Sequence, residues 1–356
     1  MSADGEPINV ADYERLASEV LDPGALGYFA GGAADERTLR ENVAALARWR
    51  LRPRVLVDVA EVSTRTTVLG EPAMPILVAP VAFQQLAHPD GEAGMARAAA
   101  AVGTVMCLST LATARPREVA AAAPDTGLWL QLYCFRDRGV TRALLDEAIE
   151  AGFRAVALTV DAPRPGRRER DLRSGFRLPS ELSVPSVVEA TGARDPISVA
   201  DILRLVDPAL GWADLEALVA DSSLPVLVKG VMTAEDAVLA ADRGAAGVIV
   251  SNHGGRQLDG VPATIDVVGE VADAVGDRME VLMDGGVRRG TDVLTALALG
   301  ARAVLVGRPA LWGLAVAGEQ GARRVLELLR DELELALALC GCPVPEAVSR
   351  DHVRRA

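Results

Sequence analysis

The chain has 356 residues, half of them hydrophobic, which suffices for one large α/β domain or two ordinary ones, so length leaves the domain count open. Its formal net charge is −12, from 37 basic and 49 acidic residues with no long basic run. That balance argues against a nucleic-acid partner, which needs a cationic track for phosphates.

The first stretch, MSADGEPINVADYERL, is polar and acidic and lacks the basic and apolar regions of a secretory signal. No run of roughly 18 uncharged apolar residues occurs, so no membrane partner is expected and the expected location is cytoplasmic. Residues 1–70 read as an N-terminal extension: two helices, ADYERLASEVL and ERTLRENVAALARW, then a hairpin-like stretch. Residues 71–356 then repeat one unit, and the two parts are expected to form one structural domain. Short apolar runs recur at Pro75 to Pro80, Val105 to Thr110, Leu128 to Tyr133 and Ala155 to Asp161. They continue at Pro225 to Gly230, Gly247 to Gly255, Val281 to Gly286 and Ala303 to Arg308. Near-continuous rather than alternating apolar runs indicate strands buried on both faces, as in parallel sheets.

Helical sequence lies between the runs: GEAGMARAAAAVG, TRALLDEAIEAG, TAEDAVLAADRG and GTDVLTALALG. Thr233 and Asp236 are placed like an N-terminal cap pair, and Gly300 stands where a C-terminal glycine belongs. Eight strands, each followed by helix-like sequence, count out an α/β fold of the (β/α)8 TIM-barrel class. The competing doubly wound sheet would want a G-x-G-x-x-G turn after the first strand, and VAPVAFQQLAHPDGE has none. Between the fourth and fifth strands, residues 162–224 make a long loop, rich in proline and arginine at its start, of the kind that is often an active-site lid. The four cysteines (Cys107, Cys134, Cys340, Cys342) are too few for a disulfide framework. Cys340 and Cys342 form a lone C-x-C without a second pair, so no metal site is expected.

In such a barrel the chemistry sits at the carboxyl ends of the strands. Standing there are Ala79, Ala82, Ser109, Gln131, Tyr133, Thr159, Asp161, Lys229, Ser251, His253, Asp284, Gly307 and Arg308, most of them donors, acceptors or charges. The last two strands end in DGGVRRG and VGRP, where glycines expose backbone N–H groups and arginines add charge, so a phosphorylated ligand is expected. Of three histidines, His352 lies in a charged tail and reads as surface, and His88 reads as a loop residue. His253 follows the sixth strand directly. With Arg256 three residues on, it sets a base beside an anion clamp, which suits an acidic substrate. Asp161 is suited to support an imidazolium there, and Lys229, flanked by apolar residues, to face an anionic partner in a cofactor.

These residues carry a resemblance. SNHGGRQLDGVPAT, LPVLVKGVMTAEDA, DGGVRRGTDVLTALALGARAVLVGRP and LQLYCFRDR are similar to the FMN-dependent 2-hydroxy acid oxidases and dehydrogenases, from about Tyr13 to Cys342. The resemblance implies His253 as catalytic base, Asp161 as its carboxylate partner, and Tyr133 as hydrogen-bonding the reacting oxygen. It implies Arg256 and Tyr28 as holding the substrate carboxylate, with Arg168 a second arginine near it. Lys229 matches a lysine beside the flavin ring, and Ser109, Gln131 and Thr159 match ring contacts. Asp284, Gly286, Arg288, Gly307 and Arg308 match contacts to the ribityl phosphate. Ala79, Pro80, Val81, Ala82, Ser251 and Gly285 complete the implied FMN site.

Three positions depart from the glycolate oxidase pattern: Leu111 for a tryptophan that narrows the pocket, Val81 for a threonine and Phe29 for a tyrosine. With APVAFQQLAHPDGE and LWLQLYCFRD resembling actinobacterial hydroxymandelate oxidases, Leu111 implies a substrate-binding wall with room for a bulky or aromatic group. Ala82 matches an alanine usual in the oxidases, so O2 is the implied acceptor. The expectation is oxidation of an (S)-2-hydroxy acid to the 2-oxo acid with formation of H2O2, by a homotetramer. A dehydrogenase using another acceptor, or a lactate monooxygenase-like enzyme, is the alternative.

Overall fold

The computed structural model describes residue 1, residues 5–193 and residues 199–356. All eight apolar runs form strands: Ile76–Val78, Met106–Leu108, Leu128–Leu132, Ala155–Thr159, Val226–Val231, Gly247–Val250, Glu280–Asp284 and Ala303–Val306. They pair in parallel in chain order, and the last closes on the first with Val304 opposite Ile76 and Val306 opposite Val78. Alternate side chains divide between two cores. Leu77, Cys107, Trp129, Ala157, Leu227, Ile249, Leu282 and Leu305 fill the barrel, whereas Ile76, Val156, Val228 and Met283 face the helices. Burial on both faces is why the strands read as unbroken apolar runs.

Two helix ends show the local chemistry that the sequence carries at them. Thr233 Oγ1 accepts from the Asp236 amide at 3.2 Å, capping Ala234–Asp242. Gly300 takes the left-handed conformation (φ 104°) just past Gly290–Ala298.

The N-terminal segment supplies helices Val10–Val20, Pro23–Ala30 and Arg37–Leu46, then a hairpin of Thr66–Val68 with Glu71–Ala73. Val68 and Ala73 are buried and join the inner core, so the hairpin stops the barrel at its amino-terminal end. The chain's last strand, Val353–Arg355, returns to pair antiparallel with Trp49–Leu51. That pairing corrects the expectation for His352. Rather than lying on the surface, it is buried, with Nδ1 accepting from the Ser349 amide at 3.1 Å. A pairing across some three hundred positions leaves no local trace in the tail's own composition.

The stretch after the fourth strand is not a structureless loop. It carries helices Glu169–Ser174, Pro185–Thr191, Val199–Leu205 and Trp212–Asp221, while residues 194–198 of it lie outside the described residues. Its start is clasped to the loop after the sixth strand. Gln257 Oε1 accepts from the Gly166 amide at 2.9 Å, and Gln257 Nε2 donates to the carbonyls of Asp161 and Arg164. A Cβ on Gly166 would lie 2.2 Å from the Arg256 carbonyl oxygen, so only glycine permits this approach. Among the described residues, no helix is long and apolar enough to cross a membrane.

Candidate active site

The strand Gly247–Val250 ends in a tight turn, His253–Gly255, whose three residues all have positive φ (58°, 63° and 76°). Glycine adopts this freely. A histidine held there costs on the order of 1 kcal/mol, and the surroundings must fix it. Ser251 Oγ accepts from the His253 amide at 3.1 Å, and Asn252 Oδ1 accepts from the Gly255 amide at 3.2 Å. The ring's Nδ1 lies 2.9 Å from Asp161 Oδ1, which comes from the end of the fourth strand. Burial pushes the Asp161 carboxyl up, but the imidazole and Lys229 outweigh it and hold the group below the usual carboxylate range. An ionised carboxylate only accepts, so Nδ1 carries the proton, and Nε2 remains without a protein hydrogen bond among the described residues.

Cations gather beside this base. Arg256 donates to the carbonyls of Tyr28 and Gly31 and lies 4.8 Å from the centroid of the Tyr28 ring, with Arg168 at 5.8 Å. Tyr28 itself stacks on Phe176 at 4.9 Å. Arg308 donates to the carbonyls of Phe29, Gly31 and Gly254. Arg288 faces Glu14 at 3.8 Å and otherwise bonds its neighbouring carbonyl. Burial, then repulsion from Arg256 and Arg288, brings the Arg308 guanidinium down to about 9, and burial also lowers Arg288. Burial and the nearby Arg168 act likewise on Arg256. Guanidinium groups sequestered with mostly neutral partners are poorly compensated, and anionic ligands would relieve them.

Lys229 is buried and held by Asp284 Oδ2 at 3.0 Å and Ser251 Oγ at 2.9 Å. Burial opposes its charge, but Asp284 and Asp161 overcome this and raise it above the ordinary lysine value. A register shift in the fifth strand between Lys229 and Val231 re-aims the chain here. Its Gly230 has φ 111°, and a Cβ there would sit 2.6 Å from the Asp161 Cβ.

One cleft at the carboxyl end of the barrel unites these groups, with about 1150 Å³ of atom-free space counting its open mouth. Its wall holds Tyr28, Ala79, Pro80, Val81, Ala82, Ser109, Leu111, Gln131, Tyr133, Thr159, Arg168, Lys229, His253 and Arg256. Asp284, Gly285, Gly286, Arg288, Gly307 and Arg308 continue it. Behind the wall stand Asp161, backing His253, and Ser251, fully buried beneath Lys229 and the His253 amide. The Ser251 hydroxyl oxygen accepts from the Lys229 ammonium and from the His253 amide. The wall also includes Leu203, from a helix of the long insert, and Pro309 and Leu311, from the first turn of the helix Arg308–Cys340. Sequence reading missed all three. Pro309 and Leu311 adjoin the VGRP turn and were within reach of it, whereas nothing in the sequence around Leu203 marks it.

A scan against family models matches residues 17–355 to the FMN-dependent dehydrogenase family. The chain is 49% identical over 355 residues to glycolate oxidase 3 of Arabidopsis thaliana, covering 98% of this chain and 96% of that one. It is 48% identical over 352 residues to L-lactate oxidase of Nostoc sp., covering 96% of each. Among solved structures, mandelate oxidase with (S)-4-hydroxymandelic acid superposes with a TM-score of 0.93 at 42% identity, over 98% of this chain and 99% of that one. Mandelate oxidase with benzoyl-formic acid gives 0.89 at 42% identity, over 98% of each.

The cleft fits FMN on its own chemistry. Gln131 Nε2, Thr159 Oγ1 and Asp284 Oδ1 are buried without a hydrogen-bond partner among the described residues, as expected of groups awaiting a ligand's polar atoms. Arg288, Arg308 and the Gly285–Gly286 turn, beside the amino end of the last long helix, are suited to hold its phosphate. A Cβ on Gly286 would lie 1.9 Å from the Asn42 carbonyl oxygen, so this turn must be glycine. With the family model spanning nearly the whole chain and a cleft of matching chemistry, the protein belongs to the FMN-dependent dehydrogenase family and takes FMN as its cofactor.

Proposed function

We propose that the chain oxidises an (S)-2-hydroxy acid with a bulky or aromatic side chain to the 2-oxo acid, reducing O2 to H2O2. The observation that carries the chemistry is the His253–Asp161 pair, 2.9 Å apart, beside the Arg256 and Arg168 guanidiniums in one cleft. Arg256, Arg168 and Tyr28 hold the substrate carboxylate and so orient C2 and its hydroxyl. His253 Nε2 takes the hydroxyl proton, and Asp161 stabilises the imidazolium through Nδ1. The Tyr133 hydroxyl, pushed up to about 12 by burial and by Asp161, stays protonated and donates to the reacting oxygen. FMN, held by Arg288, Arg308 and the Gly285–Gly286 turn, would supply the two-electron acceptor that oxidation at C2 requires and that O2 can reoxidise. Lys229 places a positive charge in the cofactor wall, where it favours the electron-rich form.

Leu111 in the wall supports the bulky side chain, since leucine leaves space that tryptophan would fill. A second reading, a small aliphatic 2-hydroxy acid, draws on the higher identity to the glycolate and L-lactate oxidases. Oxygen uptake and peroxide formation with glycolate, lactate, mandelate and 4-hydroxymandelate decide between them. Strong preference for glycolate would overturn the bulky-substrate reading, and reoxidation only by quinones or dyes would overturn the oxidase reading.

The working form we propose is a cytoplasmic homotetramer. Exposed Val55, Leu56, Leu335 and Leu339 support self-association, and light scattering at micromolar concentration tests it: a monomer would refute it.

A further inference from the structure

The N-terminal segment contributes Asn42, on the helix Arg37–Leu46, and this residue touches two loops of the site from behind. Its Nδ2 donates to Asn252 Oδ1 at 2.8 Å, and Asn252 Nδ2 donates back to Asn42 Oδ1 at 2.7 Å. Both amides are more than nine-tenths buried, so the reciprocal pair is shielded from competing water. Asn252 spends its remaining capacity on the turn that follows. Its Oδ1 also accepts from the Gly255 amide, and its Nδ2 also donates to the Pro262 carbonyl at 3.1 Å. The other loop is the Gly285–Gly286 turn, which approaches the Asn42 backbone so closely that a side chain on Gly286 would collide with it.

His253 needs such an external hold, because its left-handed backbone is not a conformation that histidine favours. Arg256 is secured separately, on the carbonyls of Tyr28 and Gly31. Loss of the amide pair therefore loosens the turn that carries the base, whose amide and ring keep Ser251 Oγ and Asp161, while the carboxylate clamp keeps its own anchors. We propose that Asn42 is a positioning residue for the oxidation, setting His253 through Asn252 and tying the base's turn to the cofactor's glycine turn. This rests on the reading of His253 as the base.

The test uses holoenzyme carrying Asn42→Ala, Asn42→Asp or Thr38→Val, with His253→Ala measured beside them. Asn42→Asp keeps the acceptor for Asn252 Nδ2 but sets a carboxylate oxygen against Asn252 Oδ1. Thr38→Val removes a different tie of the same helix, the Thr38 hydroxyl bonds to Gly260 and Val261. Two quantities are read: the anaerobic rate of flavin reduction at saturating substrate, and the affinity for oxalate as a non-oxidisable probe of the carboxylate clamp. Both Asn42 variants are expected to slow reduction by about 10- to 100-fold, the cost of a base misplaced by roughly an ångström. Oxalate affinity should stay within about threefold, and Thr38→Val should reduce at near the parent rate.

Reduction within twofold of the parent in Asn42→Asp overturns the proposal, even if Asn42→Ala fails to fold. So does an equal loss in Thr38→Val, which would mean that the helix merely packs. Normal reduction in His253→Ala would instead sink the assignment of the base itself.

Discussion

Replacing Asp161 with asparagine preserves size and an acceptor for His253 Nδ1, and removes only the negative charge 2.9 Å from the ring. A hydrogen bond to a charged group contributes about 1.5–3 kcal/mol. The charge matters most when His253 becomes a cation, so most of that difference falls on the barrier. At 1.36 kcal/mol per decade, Asp161→Asn should slow flavin reduction roughly 10- to 150-fold. Anaerobic stopped-flow at saturating substrate, following the flavin's visible absorbance, gives this rate directly.

The pH dependence has a definite sign. Because the Asp161 carboxyl is held below the usual carboxylate range, it remains ionised from neutral into mildly acidic solution. Its support is present above the unfolded carboxylate value and is lost only as pH falls through the depressed folded value. Compared where both rates have reached their alkaline plateau, the slowing of the variant therefore reads the ionised carboxylate. A variant within threefold of the parent on that plateau would refute the carboxylate's role.

Three further outcomes follow from the same geometry. Arg288→Met removes a half-buried guanidinium from the cleft wall and should weaken FMN binding by about 10- to 100-fold, as a lost charge-assisted bond would; flavin titration of the apoprotein measures it. Leu111→Trp should raise the KM for mandelate by at least about 5-fold through overpacking, with little change for glycolate; the ratio of the two KM values is the readout. Glu92 is fully buried, and burial raises its carboxyl despite donors from Thr113 and Gln84. A raised folded value means that ionised Glu92 costs stability as pH rises above the ordinary carboxylate range. Glu92→Gln should therefore flatten the loss of Tm over that rise, in a thermal series from acid to neutral pH.

Much of the site was legible because strand ends announce themselves. An unbroken apolar run followed by a polar residue says both that a barrel strand is present and that the residue after it stands at the reactive face. His253, Lys229, Gln131 and Thr159 were placed this way, and the cleft contains all four. Being at a strand end does not by itself say how deep a side chain sits: Ser251 is fully buried, its hydroxyl accepting from the Lys229 ammonium. The long insert was misread as a loop because its helices are short and marked only by Pro185 at one start and Gly175 and Gly192 at two ends.

By itself the sequence determined the eight strands, their order and the identities of the residues at their carboxyl ends, since hydrophobic period and turn chemistry act over a few neighbouring positions. Only the tertiary structure decided which of those residues meet. Asp161 reaches His253 across 92 positions, Asn42 reaches Asn252 across 210, and Val353 lies opposite Leu51. Such contacts depend on where barrel closure brings distant segments, and neither partner's local sequence carries a record of the other.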